Sequence, residues 1–464
     1  MSEGNSISVQ SPVYERIEAL LDTGSFVEID KYLERSNKVA GYPDVSAPGE
    51  GVVAGWGTIG GRSAYVAAQN YAVLRGSFSV AHAQKICKVI DMASKNGLPV
   101  VFLWDSGGAR VQEGASAMGA YAMVMKKLAD VSGVVPTISV ALGEMYGSAA
   151  LFAALTDFTI AAEHSARIGL FSPMVQAAVQ GSAVQEEQIC GAALAAKRGE
   201  VQLLAQDEAS ALQYAKTLLR YLPLNNLEEP PFVDSGDPIA RPIVSDGADI
   251  RALLCEIADD QSFLELGAEF APEMVTGLML LDGFTAGVVA NAPGEYLSAH
   301  GCKKAARFVR LMDAYDIPIV TMVDNEGVAP ASESCCMLRS LAQLAYAYGE
   351  AGCPMVSVLK KAIGEGYTAF SNKQNGADLV YAYEDAQIGC LKPQAGSIIL
   401  YDGAKDREAE YAEQFLSALS AAKQGVIDDI IAPEQLRSTL IRAIEVISNK
   451  REAKLPKKHG IMPM

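Results

Sequence analysis

Four short turns carry most of the chemistry this chain could perform. They are Ser106-Gly107-Gly108, Gly143 to Ser148, Asn325 to Gly327, and Gly364 to Gly366. Each follows an apolar run and precedes a stretch with helical spacing. Each therefore reads as the passage from the carboxyl end of a strand into a helix, which is where parallel α/β sheets bind ligands. Small residues there leave the first amide hydrogens of the helix uncovered. Two such groups aimed at one point can hold the oxyanion that develops on a substrate carbonyl, and one donor contributes about 3–4 kcal/mol in the transition state. Setting Pro136 on Pro354 (354 − 136 = 218) puts Gly147 opposite Glu365 and Ser148 opposite Gly366. Two matched turns imply two carbonyls to polarise, one in each half of the chain.

Side-chain catalysis has less to work with. The only histidines are His82, His164, His300 and His459. Ser148, directly after Gly147, admits a serine-hydrolase reading with His164 as base. No acid is evidently placed to orient that histidine, and Gly366 stands opposite Ser148. None of the eight cysteines forms a C-x-x-C pair, so a zinc ribbon is disfavoured and the thiols read as small buried hydrophobes of a reducing compartment. A net charge of −17 argues against nucleic acid and anionic membranes as partners.

The elements that must position the turns occur twice. Residues 85–107, KICKVIDMASKNGLPVVFLWDSG, match residues 304–327, KAARFVRLMDAYDIPIVTMVDNEG. Pro99 maps to Pro318 and Asp105 to Asp324 (both 219 apart). The segment IGL at 168–170 maps to IGC at 388–390, 220 apart. Such a repeat predicts two copies of one α/β domain, each with a parallel sheet covered on both faces. Around it we expect a leading helix over 12–23 and a hairpin within 50–74 that turns at Gly60-Gly61. A helix ending at Asn96 or Gly97, a helix over 116–131 and another over 206–220 should pack on strands PVVFLWD, TISVAL and DFTIAA. The Pro- and acid-rich stretch 221–244 reads as a linker, giving domains 1–235 and 236–464. The polar N-terminus lacks a signal pattern and no run suits a membrane span, so a cytoplasmic protein is expected.

The segments DSGGARVQEG (105–114), ALTDFTIA (154–161), KAARFVRLMDAYDIPIVTMVD (304–324) and AIGEGYTAF (362–370) resemble the carboxyltransferase subunits of biotin-dependent acyl-CoA carboxylases. The likeness is to the propionyl-CoA and methylmalonyl-CoA type. It extends to ERIEALLDTGSFVEID (15–30) and to the basic ending LPKKHGIMPM. The resemblance implies two tandem crotonase-like (ClpP/crotonase) domains and a homohexamer with active sites between subunits. It implies acyl-CoA on the N-terminal domain, with Gly147 and Ser148 holding the thioester enolate. It implies biotin on the C-terminal domain, with Glu365 and Gly366 holding the ureido carbonyl. Gly107, Gly108, Arg110, Tyr146, Arg75, Tyr367 and Thr368 fall at substrate-binding positions, and Arg75, Arg110 and Lys85 are candidates for the CoA phosphates. No Met-Lys-Met pattern is present, so biotin should arrive on a carrier protein charged by a biotin carboxylase subunit. A membrane partner is expected only if the chain serves a decarboxylase complex, and a third reading is a structural subunit whose chemistry has lapsed.

The departures cluster near the turns. Glu144-Met145-Tyr146-Gly147-Ser148 stands where the family has Pro-Cys-Ala-Gly-Gly, and Tyr146 is expected to narrow the acyl pocket. Glu365 replaces a glycine and Thr368 an aspartate linked to acyl-chain choice. If Glu365 needed a positive φ it would be strained, and its carboxylate would oppose an anionic oxygen beside it.

Overall fold

The structure, a computed structural model, describes residues 12–34, 47–183, 185–245, 247–329, 336–402, 406–452 and 454–463. The leading residues 1–11 and the end of the loop after Asn325 lie outside them. The chain divides into two units, 1–228 and 229–464, and the division falls within the Pro- and acid-rich stretch.

The first unit opens with α1 (Pro12–Leu20), which buries Val13, Ile17 and Leu20, then β1 (Val27–Ile29). Strands β2 (Val52–Ile59) and β3 (Arg62–Gln69) form the expected hairpin. Gly60 and Gly61 both take positive φ (57° and 78°), as a two-residue turn between twisted strands requires. Asp22 closes that turn by accepting both glycine N–H groups at 2.9 Å. The chain then alternates through α2 (Val80–Asn96), β4 (Val100–Ser106), α3 (Ala115–Val131), β5 (Thr137–Tyr146) and α4 (Ala150–Leu155). It finishes with β6 (Phe158–Ala162), β7 (Arg167–Gly169), β8 (Leu203–Ala205) and α5 (Glu208–Tyr221). The sheet order is β1-β2-β3-β4-β5-β6-β8, with β7 paired to the end of β5. Strands β3 to β8 run parallel, so β4 is buried along its whole length. Phe78, Trp104, Tyr121 and Phe152 interlock in the core, with Phe78 stacked on Tyr121 at 4.3 Å between centroids.

The second unit repeats the plan. It runs α6 (Ile250–Ile257), β9 (Leu264–Leu266), β10 (Met274–Leu281), β11 (Phe284–Asn291), α7 (Ala299–Ala314), β12 (Ile319–Asn325) and α8 (Met337–Glu350). It continues with β13 (Met355–Ile363), α9 (Glu365–Thr368), β14 (Leu379–Gly389), β15 (Asp429–Ile431) and α10 (Leu436–Ile447). The sheet order β15-β14-β13-β12-β11-β10-β9 matches the first, with β14 covering the roles of β6 and β7.

The repeat reaches further toward each N-terminus than the sequence match. Asp259 accepts the N–H groups of Asp282 and Gly283 at 3.1 and 2.7 Å, as Asp22 accepts those of Gly60 and Gly61. The interval is 237 for the acid (259 − 22) and 222 for the turn (283 − 61). Unlike Asp22, Asp259 is fully buried, and the equally buried Arg437 of α10 meets it at 2.6 Å. Removing one partner of a buried ion pair leaves the other charge uncompensated, at a cost of about 3–5 kcal/mol. Arg437→Ala is expected to lose about that much in urea unfolding, and Asp22→Ala markedly less.

Candidate active site

Strand β5 carries two residues more than its neighbour requires. Trp104 pairs with Ala141, but Ser106, two residues on, pairs with Met145, four residues on. Strand β13 carries only one extra: Val323 pairs with Leu359, and Asp324 with Lys361. Past each bulge the strand end stays paired in its sheet but in a shifted register. They also shift the correspondence expected from the prolines. Tyr146 pairs with Gly169 and Ile363 with Gly389, so the interval at the turn is 217 (363 − 146), not 218. Gly147 therefore corresponds to Gly364, Ser148 to Glu365, and Ala149 to Gly366, which corrects the expected pairing of Gly147 with Glu365 and Ser148 with Gly366.

The backbone follows the corrected match. Gly147 has φ 64° and Gly364 has φ 56°, a region open to glycine and costly for other residues. Glu365 begins α9 without positive φ, so the expected strain falls on Gly364 instead. Its side chain is exposed. The N–H groups of Ser148, Glu365 and Gly366 lie in first helical turns, where no intrahelical acceptor exists, and no turn hydrogen bond among the described residues uses them. At Gly366 a Cβ would come 2.2 Å from Asn325 Oδ1, so the turn closes on β12 only because this residue is glycine.

Charged residues flank both turns, with signs exchanged. Glu144 lies beside the first turn and accepts Arg75 Nη2 at 2.8 Å, while Tyr71 Oη donates to it at 3.2 Å. Arg75 Nε donates to Tyr71 Oη at 2.8 Å, and the Arg75 carbonyl accepts the Gly107 N–H at 2.9 Å. Arg75, Gly107 and the Gly147 turn are thus gathered at the carboxyl ends of β4 and β5, as expected. At the position matching Glu144 stands Lys361 (361 − 144 = 217), paired with Glu326. Lys392 meets the second oxygen of Glu326 at 2.8 Å and lies over the Tyr296 ring. Burial pushes the Glu326 carboxyl up, but the two lysines outweigh it and hold the group below the ordinary glutamate range. Tyr71, Glu144, Glu326, Lys361 and Lys392 were not singled out from sequence. A charged residue at a strand end was the only signal for Glu144 and Lys361.

The other expected residues make the following contacts. Arg110 is 4% exposed and donates to the wholly buried Glu50 at 2.9 Å and to the Ser77 carbonyl, so its guanidinium braces the fold rather than facing a phosphate. Lys85 is likewise buried, donating to the Val52 carbonyl at 2.7 Å. Gly108 (φ 115°) accepts the Phe78 N–H through its carbonyl. The Tyr146 ring is buried, its hydroxyl 3.9 Å from Cys190 Sγ. Tyr367 donates to Gln374 at 2.9 Å, and Thr368 is exposed on α9. His164 is exposed, and no hydrogen bond joins it to Ser148, which leaves the hydrolase reading without its base.

His82 is fully buried beneath the first site, within reach of Gln69 and the Glu50 carbonyl, and Gln69 in turn accepts the Asp105 N–H. Burial lowers its pKa to about 3. The unfolded chain binds a proton near pH 6.5 that the folded chain refuses, so this group removes stability as pH falls from about 6.5 towards 3, at roughly 1.4 kcal/mol per unit. Acid titration of unfolding free energy should show a steeper slope in the wild type than in His82→Gln over that window.

The carboxyl transferase domain family matches residues 10–462, and the chain belongs to it. The propionyl-CoA carboxylase beta chain of Saccharopolyspora erythraea is 37% identical over 97% of this chain and 90% of its own length. The methylmalonyl-CoA decarboxylase subunit alpha of Veillonella parvula is 35% identical over 97% and 92%. The hexameric transcarboxylase 12S, solved with methylmalonyl-coenzyme A bound, superposes with a TM-score of 0.91 at 32% identity, over 97% of this chain and 92% of that one. The two-unit α/β architecture is that of these carboxyltransferases. No described helix is long and apolar enough to cross a membrane.

Proposed function

We propose that the chain transfers a carboxyl group between biotin on a separate carrier and the α-carbon of a short acyl-CoA, of the propionyl or methylmalonyl type. The observation that carries this reading is the matched pair of turns after β5 and β13, each opened by a left-handed glycine and each offering amide hydrogens with no acceptor among the described residues. In the first unit, Gly147 and Ser148 are assigned to the thioester oxygen, stabilising the enolate once the α-proton has left. In the second unit, Glu365 and Gly366 are assigned to the ureido oxygen of biotin. The fit there is to a carbonyl approaching bare backbone, since Gly366 has no side chain and the Glu365 side chain is exposed. When bound, carboxybiotin supplies the carboxyl group and a basic ring nitrogen, so the protein needs no histidine at the site. Fixed amide donors act without reorganising as charge develops, and holding both reactants removes most of the entropic cost of their meeting. Arg75 is the proposed contact for a CoA phosphate, and to make it the guanidinium must leave Glu144.

The proposed setting is a cytoplasmic homohexamer served by a biotin carboxyl carrier protein and a biotin carboxylase. The likeness to a decarboxylase subunit favours, as a second reading, the same transfer run from methylmalonyl-CoA towards biotin, because a stabilised transition state serves both directions.

Purified protein is expected to carboxylate propionyl-CoA when supplied with charged carrier, and to decarboxylate methylmalonyl-CoA when supplied with free biotin. Failure with acetyl-, propionyl- and methylmalonyl-CoA in both directions would overturn the reading. Ser148→Ala keeps the amide and should change kcat little. Ser148→Pro removes the donor and should lower kcat by about 10²–10³-fold, with KM for acyl-CoA moving much less.

A further inference from the structure

The first unit holds a guanidinium where the second holds a cavity. In the first, Asp105 at the end of β4 accepts Arg16 Nη1 at 2.8 Å, and Glu208 accepts the other edge of that guanidinium at 2.9 and 2.6 Å. The repeat carries Asp105 to Asp324 (324 − 105 = 219) and Arg16 to Leu253 (253 − 16 = 237). The second interval is fixed by the buried helix faces, Val13, Ile17 and Leu20 matching Ile250, Leu254 and Ile257, and by the hairpin acids Asp22 and Asp259. Leu253 is buried and offers the carboxylate nothing. Gly143, whose backbone abuts Asp105, is matched by Lys360 (360 − 143 = 217), and Lys360 Nζ stands 3.7 Å from Asp324, beyond hydrogen-bond length.

The space left open gives about 90 Å³ to the centres of water-sized molecules, several times the roughly 10–15 Å³ that one water needs. Leu253 and Met322 line its apolar part, and Asp324, Asp385, Tyr383 and Lys360 its polar part, with one more negative than positive charge. Asp324 is mostly buried, and burial lifts its carboxyl above the ordinary aspartate range despite Lys360. Tyr383 is 7% exposed, and its hydroxyl has no hydrogen-bond partner among the described residues. Burial raises its phenol, and the charges of Asp385 and Asp324, which line the same cavity, raise it further. Such a hydroxyl, and a mostly buried carboxylate whose paired cation stands 3.7 Å away, leave hydrogen-bonding capacity for a ligand.

We propose that this cavity binds a small organic cation, a guanidinium or primary ammonium on a short apolar stem, with Asp324 and Asp385 accepting its N–H groups, Tyr383 Oη as a third polar contact and Leu253 packing on the stem. The site is distinct from the turn at Gly364–Gly366, none of whose residues lines it. It does in the second unit, by ligand, what Arg16 does in the first by covalent attachment.

The test is calorimetry and thermal unfolding of the full-length protein with butylguanidinium, butylammonium, butyrate and sodium chloride at matched ionic strength. Saturable binding of butylguanidinium at low millimolar concentration, weaker binding of butylammonium and none of butyrate are expected. Leu253→Arg supplies the guanidinium from the chain and should abolish binding of the free probe. Asp324→Asn should weaken it at least about tenfold, the loss that follows removal of a charged hydrogen-bond partner, and serves alone if the arginine variant does not fold. No saturable binding, equal response to butyrate, or binding that survives in the variants would overturn the proposal.

Discussion

A backbone amide can act on a substrate only if the fold leaves it without another acceptor, and this chain meets that demand with a β-bulge. Strand backbone saturates its own hydrogen bonds, and so does helix interior. Only the first turn of a helix is left with free donors. To aim that turn, the strand before it must shift its register at one place and stop. The extra residues in β5 and β13 do the first, and the left-handed glycines at 147 and 364 do the second. The remaining sheet, with its continuous apolar strands, serves mainly to hold those two breaks still.

The charges around the breaks show how the two copies have parted. One presents a glutamate at the strand end and binds an arginine to it; the other presents a lysine and binds a glutamate. Both arrangements keep an ion pair beside the turn. Neither leaves a bare carboxylate beside its turn, since Glu144 and Glu326 are both held by cations. Glu365, which looked damaging as a residue type, projects into solvent and contributes its N–H alone. The tolerance is general: a site built from main chain accepts many side chains provided that φ and packing permit them.

Divergence also runs through the acids buried at the ends of β4 and β12. Asp105 is satisfied by a helix at the start of the chain, and Asp324 is paired with Lys360 at 3.7 Å beside an open volume. Duplication supplies two copies of one packing problem, and each copy can solve it differently. Asp22 is half-buried and Asp259 fully buried under Arg437, although they close corresponding hairpins.

Read alone, the sequence determines that two α/β copies exist, where their strands and helices lie, and which glycine turns join strand ends to helices. Those properties depend on periodicity, proline and glycine, which act locally. The hairpin at Gly60-Gly61, the end of α2 at Gly97 and the strand at PVVFLWD are all legible for that reason. The correspondence of the two leading helices is not, because Val13, Ile17 and Leu20 match Ile250, Leu254 and Ile257 at a different interval from the rest of the repeat. Register and pairing were decided only by tertiary structure. A bulge adds a residue without leaving a mark in composition, so aligning the prolines misplaces the turn by one. Likewise nothing local reveals that Arg110 faces Glu50, that Arg75 faces Glu144, or that Leu253 stands where the other half has an arginine. Each of those contacts joins residues far apart in the chain, and only the folded sheet brings them within bonding distance.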